Sequence, residues 1–176
     1  MIQRVLLFIA VCLSSVTGQT PRTPDLRAQR EAMQKLAFLV GKWSGEAQVF
    51  PAGEATLTLD WSEDAQYKLD GLLLEIEAKG LNKTDNKIIR QALGLVSYDD
   101  FTSTYRARTF NDGRYLETDL TLLSGENGFK WGFEVGDIKT SSVLRINDKG
   151  EWTEVHQITV GSQPTRKLMV VKVSRK

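Results

Sequence analysis

The chain has little of what usually carries chemistry: one cysteine, Cys12, and one histidine, His156, in 176 residues. Cys12 lies so close to the start that a chain processed after Gly18 keeps no thiol, which excludes a disulfide framework and a thiolate nucleophile. One histidine and no cysteine leave zinc without its usual ligand set, and no acidic loop has calcium-ligand spacing, so no metal is expected. An excess of one charge is also missing. Lys and Arg number 23 against 22 Asp and Glu, a formal +1 mixed along the chain, which lacks the electrostatic footprint of a nucleic-acid or anionic-membrane binder. No later segment approaches the ~20 apolar residues of a spanning helix, so the mature chain is not expected to insert in a membrane.

The one apolar run, Val5 to Leu13, follows Arg4 and precedes Val16 and Gly18. That is the outline of a signal peptide over residues 1–18, cleaved before Gln19, and it predicts a secreted or periplasmic protein. Val11 stands before Cys12 where lipid attachment wants a small residue, so a lipoprotein is not expected. Residues 19–25 read as a leader, and residues 26–176 suffice for one domain burying about 70% of its unfolded surface.

Thr23 is placed to cap a helix, with Pro24 at the first helical position and Asp25 at the positive end. The helix is predicted to run to about Val40, with Leu26, Met33, Leu36, Ala37 and Val40 near one face and Arg27, Arg30, Glu31 and Lys35 near the other. Gly41 stops it. From Trp43 the period changes to two, and turn clusters such as "PAGE", "NDGR", "SGENG" and "NDKG" divide the rest into ten strands. They fall near 43–50, 55–62, 67–80, 88–98, 104–110, 115–123, 128–135, 138–146, 151–160 and 165–175.

Short turns pair consecutive strands antiparallel, and closing the meander removes both exposed edges. The expected fold is therefore all-β, a ten-stranded antiparallel up-and-down barrel with one N-terminal amphipathic helix plugging one end; a flattened sandwich shares the same alternation. The predicted interior holds Trp43, Gly45, Ala47 and Val49; Leu57, Leu59 and Trp61; Leu72, Leu74, Ile76 and Ala78; Phe129, Trp131, Phe133 and Val135; Met169, Val171 and Val173. Glu46, Glu75, Glu77, Lys130, Glu134 and Lys172 occupy the opposite positions.

"LAFLVGKWSGE" at 36–46, a helix followed by Gly-x-Trp, resembles the start of calycin barrels, the superfamily of lipocalins and fatty-acid-binding proteins. Together with "GLVSYDDFTSTYRARTFNDG" at 94–113 and the ending "RKLMVVKVSRK", it is similar to nitrobindin-type barrels and to the secreted bacterial domain-of-unknown-function family 1579. The resemblance implies that Trp43 crosses the closed end beneath a basic side chain from the last strand. Arg175 shares parity with Met169, Val171 and Val173, so its guanidinium can lie over the indole. Gly45 is expected to make room for the ring, and Gly41 to let the helix turn.

No serine lies in a nucleophile-elbow pattern, and no catalytic residue is predicted. His156 shares a strand face with Trp152, Glu154 and Ile158, a pattern too mixed to fix its direction. Arg106 and Arg108 share a face and read as solvated. Trp61, Tyr67, Tyr98, Tyr105, Trp131 and His156 are the candidate ligand-binding residues, with a filled core as the alternative for the aromatics. "NKT" at 82–84 is a glycosylation sequon. Nitrobindins bind haem through a histidine near the C-terminal strand; residues 165–176 contain none, so no cofactor is expected and haem is disfavoured. The sequence thus points to a non-enzymatic binder of a small apolar or amphipathic molecule. An enzyme on this barrel requires a polar cluster inside, and a purely structural domain requires a filled one.

Overall fold

The computed structural model describes residues 22–176. The signal-peptide reading of residues 1–18 lies outside the described residues, as does the start of the leader. Helix α1 spans Leu26–Gln34. Its cap is Asp25 rather than Thr23: the Asp25 carboxylate accepts the N–H groups of Arg27 and Ala28 at 3.1 and 3.0 Å.

The expected helix to Val40, plugging one end, is not what the chain forms. After nine residues the bonds tighten to i−3, with Lys35 N–H on the Ala32 carbonyl at 3.1 Å and Leu36 N–H on Met33 at 2.9 Å, and a 3₁₀ turn follows at Ala37–Leu39. The hydroxyls of Tyr105 and Tyr67 draw those same two carbonyls toward the sheet, at 2.7 and 2.6 Å. Met33 on the helix and Leu36 and Leu39 around the turn are fully buried.

The strands are β1 (Gly41–Val49), β2 (Leu57–Lys68), β3 (Leu73–Asn82), β4 (Ile88–Asp99), β5 (Thr104–Asn111), β6 (Arg114–Leu122), β7 (Gly128–Trp131), β8 (Glu134–Val135), β9 (Ile138–Ile146), β10 (Trp152–Val160) and β11 (Arg166–Arg175). Ten of them close a ring: β1 to β7 in order, then β9, β10 and β11, with β11 returning antiparallel to β1 in the register Trp43↔Arg175 to Val49↔Met169. Closure excludes the sandwich and leaves no edge in the ring.

The additional strand, β8, comes from a break in what reads as one strand over 128–135. Thr118 Oγ1 donates to the Gly132 carbonyl at 2.6 Å and Thr140 Oγ1 accepts from Phe133 N–H at 3.1 Å, so side chains take over backbone bonds there. A Cβ at residue 132 would collide with the Thr140 carbonyl. Val135, expected inside, is consequently 64% exposed, and Phe133 is half-buried. Leu72, also expected inside, lies half-buried in the turn before β3.

Elsewhere alternation holds. Trp43, Ala47, Leu59, Trp61, Leu74, Phe129, Val171 and Val173 are buried and form one core with Trp152, Leu144 and the helix residues. Gly45 is corrected: it is exposed, and a Cβ there would run into the backbone of Lys172 and Val173 on β11, so it permits close approach of the two closing strands. The ring given room by a glycine is Trp61, against Gly80.

Candidate functional site

At the helix end the Arg175 guanidinium carbon lies 4.4 Å from the centre of the Trp43 ring. Its Nη1 and Nη2 donate to the carbonyls of Val40 and Phe38 at 2.5 and 2.9 Å, and Trp43 Nε1–H donates to the Leu39 carbonyl at 2.8 Å. Gly41, at φ +131°, passes directly beneath the guanidinium. Trp152 meets Trp43 edge-on at 5.5 Å between centroids. This floor is closed by packing and by carbonyls whose donors are fixed.

Above it the interior turns polar, a feature the sequence reading did not assemble. Glu63 on β2 and Glu154 on β10 point inward and are 5% and 7% exposed. Glu63 Oε1 accepts from Trp61 Nε1–H at 2.6 Å, and Glu154 Oε2 from Trp152 Nε1–H at 3.4 Å. Burial pushes the Glu63 carboxyl well above the usual carboxylate range and the neighbouring Glu154 raises it further, against the lowering effect of the Trp61 bond. Burial also raises Glu154, opposed by His156 and Trp152.

His156 faces inward beside Glu154. Its Nδ1 is 2.8 Å from Ser142 Oγ, and its ring meets Trp131 edge-on at 5.7 Å. Nε2 lies 3.3 Å from Glu154 Oε1 but out of line for a hydrogen bond, and is buried without a partner among the described residues. Ser142, His156 and Glu154 stand in the order of an acyl-transfer relay. Acyl transfer also needs free N–H groups around the developing oxyanion, and Ser142 is mid-strand in β9, paired with Trp131 on β7 and His156 on β10. The cluster can therefore hold and share protons and accept donors, without the groups that would stabilise a tetrahedral intermediate.

The six candidate ligand residues separate. Tyr67 and Tyr105 donate to helix carbonyls and Tyr98 packs edge-on against Tyr105 at 4.9 Å, so all three lie at the helix end. Burial, then Tyr98 and Tyr67, pushes the Tyr105 hydroxyl up to about 12. Trp61 sits against Glu63. Only Trp131 and His156 come together facing the opposite end. Arg106 and Arg108 lie outside, paired with Asp119 at 2.7 Å and Glu117 at 3.4 Å.

That opposite end is the mouth. Leu57, Trp131, His156 and Met169 face inward yet are only half-buried. Ile88, Val135 and Ile138 at the strand ends around it are 55%, 64% and 38% exposed. An apolar rim thus leads past half-buried side chains to a buried polar cluster.

No family model and no curated protein matches the chain. Solved structures do. Rv2717c from M. tuberculosis superposes with a TM-score of 0.64 at 11% identity, covering 82% of this chain and 97% of that one. The S-type phycobiliprotein lyase CPES from Guillardia theta gives 0.57 at 8% identity, covering 82% and 92%. The likeness is one of fold. It makes this chain a closed antiparallel barrel of the same overall architecture as those two proteins.

Proposed function

We propose that this protein is a non-enzymatic, small-molecule-binding barrel whose ligand is apolar or amphipathic and enters at the mouth. The observation that carries the reading is the gradient from exposed Ile88, Val135 and Ile138, through half-buried Leu57, Trp131 and Met169, to the buried cluster at Glu154. A filled structural barrel has no reason to leave inward-facing apolar side chains half-open at one end and rimmed by exposed ones. The fold likeness to a phycobiliprotein lyase supports a ligand-handling role without naming the ligand. The quoted motifs further suggest kinship with nitrobindin-type barrels and the secreted family 1579, and residues 1–18 suggest export. An exported product whose intact mass begins at Gln19 is expected; one with Cys12 retained and acylated would overturn the cleavage reading.

Haem does not fit this reading. Its iron needs an axial nitrogen free to face the macrocycle, whereas the one unpartnered nitrogen of His156, Nε2, is buried and turned toward the Glu154 carboxyl. Titration with Nile red should give a blue-shifted, saturable signal at micromolar concentrations, because burying apolar probe area contributes about 25 cal/mol per Å². Haemin should give no sharp Soret shift dependent on His156. Haemin binding lost in His156→Ala would overturn the haem-free reading, and absence of Nile red binding would overturn the ligand-binding one.

A further inference from the structure

We infer that Glu154, His156 and Ser142, with Glu63 behind them, form a head-group site for a hydrogen-bond-donating nitrogen, an ammonium or a set of N–H groups, at the deep end of an amphipathic ligand. The inference rests on the binding reading above and names the chemical class which that reading leaves open.

The cluster is rich in acceptors and poor in donors. Among the described residues neither buried carboxyl has a lysine or arginine within ion-pair distance; each receives one indole N–H, and His156 is the sole neighbour able to carry positive charge. A buried carboxyl costs free energy unless its second oxygen is also satisfied. The Glu154 side chain is 9% exposed, and its Oε1 faces the misaligned Nε2 of His156, itself buried without a partner among the described residues. An incoming N–H group satisfies that oxygen, and a positive charge relieves the mutual repulsion of the two carboxyls.

Access agrees with this assignment. His156 is the cluster member nearest the mouth, with its side chain 21% exposed, and it pairs in register with half-buried Met169, whereas Glu154 pairs with fully buried Val171. A ligand descending past Trp131 and Met169 therefore meets His156 first and Glu154 immediately behind it, with its apolar portion left against Leu57 and the Ile88, Val135 and Ile138 rim. A carboxylate-headed chain would meet two acids there instead, and the arginines Arg106 and Arg108 that could have received it are on the outer wall.

The test compares three probes on the intact barrel: a dansyl-labelled dodecane diamine with one free amine, dansylamino-dodecanoic acid of the same chain, and neutral Nile red. The wild type should bind the amine at least about tenfold more tightly than the acid. Glu154→Gln should remove most of that preference while Nile red binding persists, which a carboxyl serving only to orient indoles would not produce. Equal affinities, or preference for the acid, would overturn the inference, and the wild-type comparison decides this even where the variant fails to fold. Nile red binding without amine preference defeats the head-group site and leaves the binding reading standing. Binding of none of the three defeats both.

Discussion

Glu63 is buried at a cost, because its one strong bond, from Trp61 Nε1, does not replace the water it lost. Its folded carboxyl is held well above its unfolded range, so at low pH both states bind the proton and the residue is nearly neutral to stability. As pH rises through the unfolded value the unfolded chain releases its proton first, and stability falls until the folded carboxyl also ionises. Glu63→Gln keeps an acceptor for Trp61 and removes the titration. Urea unfolding should show Glu63→Gln more stable than wild type at pH 8 by on the order of 1 to 3 kcal/mol, with the gap closing below about pH 4. A gap that stays constant with pH would mean the carboxyl is solvated in the folded barrel. The position was readable in principle: "LTLDWSEDAQY" continues the inward alternation of Leu59 and Trp61 through Glu63, Ala65 and Tyr67, but an acid on the apolar face breaks the pattern by which a face is recognised. Glu154 and His156 share the face of Trp152, and only the closed ring shows that this face is the interior.

Among elements, the seam between β1 and β11 was the most legible, since antiparallel closure and parity alone bring residue 175 to residue 43. Trp43→Ala should cost about 3 to 5 kcal/mol as a large core deletion, and Arg175→Ala less. Because the guanidinium lies on the ring, the double-mutant cycle should show coupling of about 0.5 to 2 kcal/mol; additive losses would place Arg175 off the indole in solution. Gly45 was misread because sequence alternation says which way a side chain points and nothing of how closely the next strand passes. The helix length was misread because its end is set by hydroxyls of Tyr67 and Tyr105, which reach it from strands far along the chain. The break between β7 and β8 was missed because it is made by the hydroxyls of Thr118 and Thr140, which reach residues 132 and 133 from neighbouring strands.

For the whole molecule, the ring that supplies an interior also dictates when that interior can exist. β1 follows the helix directly, but its second neighbour is Arg166–Arg175, and β10 likewise completes its pairing only with β11. Emerging from the ribosome, the first nine strands can form hairpins while the seam stays open, with the β1 backbone unpaired on one side and Trp43 without its arginine. Hence the barrel cannot seal before β11 has been made: Glu154 and His156 face no enclosed space until that ten-residue strand returns to β1 and closes the ring in a single long-range step.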